Sequence, residues 1–98
     1  MQKYALKFIW LDRTIGVCLD QHTPRGESVL LTDFYFWPQV DAWEKIKLFL
    51  EQSPFISQNE SILILNQITE VINFWQEKNI KDLDRVREKF PSIHFLGS

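Results

Sequence analysis

The stretch from Phe55 to Gln76, FISQNESILILNQITEVINFWQ, decides the fold. It opens with Ser57-Gln58-Asn59-Glu60, a Ser-x-x-Glu capping box in which the hydroxyl and the carboxylate satisfy two amide donors that a helix start leaves orphaned. Pro54 steers the residue before it away from helical angles and so separates this helix from the one upstream. Leu65, Ile68, Ile72 and Trp75 recur at spacings of three and four, and Ile64 and Val71 widen their stripe to the breadth of a helix seated on a core. Asn66, Gln67, Glu70 and Asn73 fall mainly toward the other side. The periodicity predicts a helix over 58–78, the longest element in the chain, on which the rest packs.

Upstream the period changes to two. Tyr4, Leu6, Phe8 and Trp10 alternate with Ala5, Lys7, Ile9 and Leu11, a strand over 4–11. Asp12-Arg13 is a turn candidate, and 14–21 forms a second strand with Ile15, Val17 and Leu19 on its apolar face and Thr14, Gly16, Cys18 and Asp20 on the other. Residues 22–27 hold Pro24 and Gly26 and read as a loop. A third strand over 28–37 ends at Pro38. Its even positions Leu30, Thr32, Phe34 and Phe36 are expected to face the core, and its odd positions, with Tyr35 and Trp37, to face away. A helix over 41–52 begins at Asp41 with Glu44 three residues on, and its apolar stripe is Trp43, Ile46, Phe49 and Leu50. A third helix over 82–90 starts at the Asp82 cap, points Leu83, Val86 and Phe90 inward and stops at Pro91. Residues 92–96 either add a short strand or lie against the body.

Strands first and helices afterwards predict an α+β fold. The expected form is a small, mostly antiparallel three-stranded sheet (4–11, 14–21, 28–37) with helices (41–52, 58–78, 82–90) on one face. A chain of 98 residues, 45% hydrophobic with 14% aromatics, suits a single domain over 1–98 with one core. Its one cysteine, Cys18, forbids an internal disulfide and reads as intracellular. Apolar runs fall short of a membrane span, and no presequence precedes the first strand, so the chain is expected to start at its folded body. A net charge of −2 is awkward for a nucleic-acid binder, because phosphate neutralisation is the main source of affinity there.

Little in the chain points to catalysis. His22, His94 and Cys18 are scattered and lack metal-ligand spacing, so no metal site is expected. Cys18 lies mid-strand with no base in sight and reads as a small structural thiol. Glu60 is a cap, Glu70 a solvated helix residue, and the three glycines lie singly with no phosphate loop. Two features exceed this. On the outer sheet face Ile9, Leu11, Tyr35 and Trp37 are expected to form an apolar patch of the kind that marks a partner surface. The alternative is that the third helix or the tail covers it. Lys81, Arg85 and Lys89 form a basic row that could touch phosphates, but Asp84 and Glu88 interleave it, so it reads first as a salt-bridged solvent face.

Several words of the chain resemble a known family. Phe8-Ile9-Trp10-Leu11, Leu19-Asp20-Gln21, Phe36-Trp37-Pro38, Asp41-Ala42-Trp43-Glu44, Ile56-Ser57-Gln58, Leu65-Asn66-Gln67 and Thr69-Glu70-Val71-Ile72-Asn73-Phe74-Trp75-Gln76 are similar to the plastid-specific ribosomal protein 3 family of chloroplast and cyanobacterial small subunits. The likeness spans about 6–76. Asp33 stands where that family commonly has Glu, Gln39 follows Pro38 where a basic residue is common, and Phe55 replaces a Trp. Residues 77–98 lie beyond the shared words.

The resemblance implies a structural ribosomal component acting in translation, with no catalytic residue and no cofactor. Its location would be the cyanobacterial cytoplasm or the chloroplast stroma, bound to ribosomes. A near-neutral protein of this kind is expected at the subunit's periphery, touching ribosomal RNA and adjacent proteins, with neither membrane nor small-molecule substrate. Tyr35 and Trp37 are the stacking candidates, beside Ile9 and Leu11. Lys7, Arg13, Arg25, Lys45 and Lys47 are the phosphate candidates. A free adaptor or regulator using the same sheet face is the alternative reading.

Overall fold

The structure is a computed structural model that describes residues 4–78 and 83–97. Strand β1 (Tyr4–Trp10) pairs antiparallel with β2 (Ile15–His22), with Phe8 opposite Val17 and Trp10 opposite Ile15. Even residues of β1 and odd residues of β2 therefore share one face. Leu6, Phe8, Trp10, Ile15, Val17 and Leu19 are all buried there, as the alternation predicts.

The segment expected as one strand over 28–37 is two. Strand β3 (Ser28–Leu30) pairs with the end of β2, placing Leu30 opposite Asp20, and β4 (Tyr35–Trp37) pairs with its beginning, placing Tyr35 opposite Val17. Between these pairs β2 advances three residues and the facing chain five, so two extra residues bulge out of the ladder. The bulge is held by Leu19: its carbonyl accepts from Leu31 N and Thr32 N, and its N–H donates to Thr32 Oγ1 at 3.0 Å. The faces of this segment are also the reverse of the expectation. Tyr35 and Trp37 lie on the Val17 and Ile15 side and pack against the core with Leu31, while Phe36 lies opposite Gly16 on the outer side. The reason is steric. The Phe36 ring lies against Gly16, where a Cβ would come within 2.7 Å of it, so the bare strand position is what accepts this aromatic.

Helix α1 (Ala42–Glu51) starts at Asp41, whose Oδ1 accepts from Glu44 N at 3.0 Å, and buries Ala42, Ile46 and Leu50. Helix α2 (Gln58–Lys78) carries the expected box: Glu60 N donates to Ser57 Oγ at 3.2 Å and Ser57 N donates to Glu60 Oε1 at 3.3 Å. Ile64, Ile68, Val71 and Ile72 are buried on its stripe. Trp75 is half-buried and ties the helix to the end of the first strand by donating to Leu11 O at 2.8 Å. Helix α3 (Leu83–Lys89) buries Val86, and Phe90 follows it into the core. The expected Asp82 cap lies outside the described residues.

The tail forms a fifth strand, β5 (His94–Gly97), parallel to β1. The fold is thus α+β as expected, but its sheet is mixed and five-stranded, in the order β3-β2-β1-β5 with β4 also on β2. What draws the tail in is Phe95, buried beside Phe8 and Trp10 with ring centroids at 5.7 and 5.9 Å. Its neighbour Leu96 points the other way and is 42% exposed. Phe95→Ala is expected to cost about 3–5 kcal/mol in urea unfolding as a core truncation. Leu96→Ala should stay within about 0.5 kcal/mol, as a surface change.

Candidate functional site

The buried residues of all three helices belong to one cluster with the inner sheet face. The opposite face carries Ala5, Lys7 and Ile9 from β1 and Gly16, Cys18 and Asp20 from β2. Phe36 from β4, Leu30 from β3, and His94 and Leu96 from β5 complete it. The tail does not cover this face; it widens the sheet at its edge. Ile9 and Phe36 are half-buried, Leu30 is 57% exposed, and Phe34 packs its ring 6.4 Å from that of Phe36.

At the centre of this apolar surface Lys7 Nζ lies 3.2 Å from Asp20 Oδ2, and Asp20 is only 3% exposed. Cys18 Sγ, fully buried, donates to Asp20 Oδ1 at 3.5 Å. The two charges are diagonal neighbours on adjacent strands, Lys7 standing opposite Cys18, and they cancel locally. Burial pushes the Cys18 thiol up to about 12, and the neighbouring Asp20 carboxylate adds to the rise while Lys7 opposes it. A thiol held neutral and covered is no nucleophile, so the structural reading of Cys18 stands.

The sequence candidates do not gather in one place. Ile9 and Lys7 lie on the outer face, and Lys7 is already paired. Leu11 is half-buried just past the end of β1 and holds Trp75 through its carbonyl. Arg13 and Arg25 are exposed in the loops at opposite ends of β2. Lys45 and Lys47 ride on α1 on the helix side, with Lys47 Nζ 5.6 Å from the Trp43 ring. Of the basic row, Lys81 lies outside the described residues, Arg85 is exposed, and Lys89 sits over the rings of Phe74 and Phe90 at 5.2 and 5.8 Å. Arg87 pairs with Asp84 and donates to Phe95 O. Tyr35 and Trp37 lie away from the outer face, and in their place stand Phe34 and Phe36, which the alternation alone predicts for the core. Gly16 was the available signal, since a mid-strand glycine marks a close approach.

A second surface appears where the sheet meets the helices. Trp37 and Trp43 line a cleft of about 290 Å³ with Ile72, Asp41, Asn73 and Gln76. The Trp43 indole is anchored by donating to Leu65 O at 3.3 Å. Trp37 Nε1 is buried and has no acceptor among the described residues.

Three of the words that carry the family likeness, 36–38, 41–44 and 69–76, supply the residues that line this cleft. Residues 31–78 match the model of the plastid and cyanobacterial ribosomal protein (PSRP-3/Ycf65). The small ribosomal subunit protein cS23 of Euglena viridis is 54% identical over 101 residues, covering 99% of this chain and 98% of that protein. The chain belongs to this ribosomal protein family. The cS23 protein of the alga Gracilaria tenuistipitata var. liui is 42% identical over 100% of this chain and 99% of its own length. The cS23z protein of Arabidopsis thaliana is 47% identical over 76% of this chain and 45% of its own. The likeness noted over 6–76 therefore extends nearly through the chain in the algal relatives.

The Cys18 environment yields a pH dependence. The unfolded thiol ionises near its ordinary value of 9.0, whereas the folded one holds its proton to about 12. Above pH 9 the unfolded chain binds fewer protons than the folded one, so stability falls as pH rises through that window. In urea melts from pH 8.5 to 11, Cys18→Ala is expected to show a shallower decline than the unaltered protein. Some decline persists, because burial and the nearby Glu60 also raise the Tyr4 phenol.

Proposed function

We propose that the outer sheet face is the surface by which this chain docks on a neighbouring protein of the small ribosomal subunit. The chain is a structural, non-enzymatic small-subunit protein of the plastid and cyanobacterial ribosomal family. That membership favours the ribosome over a free adaptor.

The observation that carries this reading is an apolar face without net charge. Ile9, Leu30, Phe34, Phe36 and Leu96 surround a Lys7–Asp20 pair that is satisfied internally. A surface built for phosphate presents unpaired cations, because affinity there comes from neutralising charge. A protein interface instead has an apolar, aromatic-rich core depleted in charge. Apart from the paired Lys7, the cations of the described residues lie off this face. Arg13, Arg25, Lys45 and Lys47, with Arg85 and Lys89 as weaker candidates, would add scattered contacts to ribosomal RNA around the edge of the docked protein. Scattered cations orient a protein but supply little affinity singly.

Density-gradient sedimentation with small subunits tests this. Leu30→Ser combined with Leu96→Ser is expected to leave the unfolding midpoint nearly unchanged and to move the protein from the subunit peak toward the top. Raising the salt should release the unaltered protein only slightly, since an apolar interface is weakly screened. A double variant that stays in the subunit peak as firmly as the unaltered protein would overturn the assignment of this face.

A further inference from the structure

We infer that the cleft between Trp37 and Trp43 receives an unpaired RNA base. This rests on the chain's place in the small subunit and is independent of the outer face. Two indoles line the cleft together with Ile72, Thr69 and the polar residues Asn73 and Gln76. Aromatic planes stack on any base, and amides complement base edges because each offers a donor and an acceptor. The charge distribution orients the nucleotide. Asp41, at the start of α1, keeps phosphate out of the cleft, while Lys47, lying over the Trp43 ring, stands outside as the cation for that phosphate.

The two indoles are not equivalent. Trp43 is fixed through its N–H to the Leu65 carbonyl, whereas the N–H of Trp37 is buried without an acceptor. Leaving a donor unpaired is unfavourable, and a base that carries carbonyl or ring-nitrogen acceptors relieves it once the Trp37 ring turns to meet it. The main chain of a short apolar peptide could meet the Asn73 and Gln76 amides, but it offers no flat ring to stack on the two indoles. The mixed lining of stacking planes and neutral polar groups thus favours a base.

The test is a titration of the full chain, labelled with nitrogen-15, with a short single-stranded oligouridylate or oligoadenylate and with an RNA duplex of equal length. The Trp37 and Trp43 indole signals, assigned by Trp→Phe variants, are expected to move with the single strands and to stay in place with the duplex. Those of Trp10 and Trp75 should stay in place throughout. Asn73→Ala with Gln76→Ala, both exposed positions, should weaken that response by about five- to tenfold, as expected for lost hydrogen bonds. The Leu30→Ser, Leu96→Ser pair should leave it unaltered, so failure of the outer face and failure of the cleft are read separately. Indole signals that ignore the single strands, that respond equally to duplex, or that respond only to peptides of neighbouring subunit proteins would overturn the inference.

Discussion

The pairing of β1 with β2 is the constraint on which the rest depends. Phe8 faces Val17 and Leu6 faces Leu19 across this ladder, and all four are buried beneath the helices. A slip of one residue would turn the whole apolar set outward, so the buried side chains and the register fix each other. Once the inner face is defined, α2 has one place to lay the stripe from Ile64 to Ile72. The same register puts Lys7 and Asp20 on the outside and close enough to pair, which leaves that face without net charge.

Where the period is long and one-sided, it was legible. The helix over 58–78, its Ser57–Glu60 box, and the inward sets of the first two strands follow from spacing alone. Residues 28–37 were not legible in the same way, because both of their alternating sets are apolar. Phe34 and Phe36 look as fit for a core as Leu31, Tyr35 and Trp37. The choice is made by β2, which offers Gly16 and Cys18 on one side and Ile15 and Val17 on the other. The Phe36 ring has room against Gly16 because that position has no side chain, and that is a property of the pair of strands. The bulge at Leu31–Thr32 depends likewise on one threonine hydroxyl meeting one distant amide. The fifth strand was half legible: Phe95 signals burial, but its parallel partner is far away in sequence.

The candidate contacts divide by the same logic. Charge is visible in a sequence, but pairing is not, and Lys7 reads as a free cation until Asp20 is seen beside it. Arg13 and Arg25 are separated by the length of β2, so their similarity as exposed basic residues says nothing of a shared target. Trp37 shows the converse. The alternation predicts it on the outer face and the structure has it opposite Ile15, yet part of its aromatic surface lines the cleft beside α1 and α2.

That margin and the outer face suit different neighbours. A chain of net charge −2 inside an RNA-rich particle gains little from the general attraction that holds basic proteins to phosphate. Recognition then has to come from groups that work without charge: apolar area against another protein, and aromatic planes with amide edges against a base. The fold supplies one of each, set apart because one lies behind the sheet and the other at the seam beside the helices. Two contacts that rest mainly on uncharged groups would restrain one rigid body where either alone would leave a pivot, and linked contacts strengthen each other through effective concentration. On this view the acidic composition is compatible with a place in the ribosome, and it makes the geometry of the two surfaces, more than the count of lysines and arginines, the determinant of how the protein sits there.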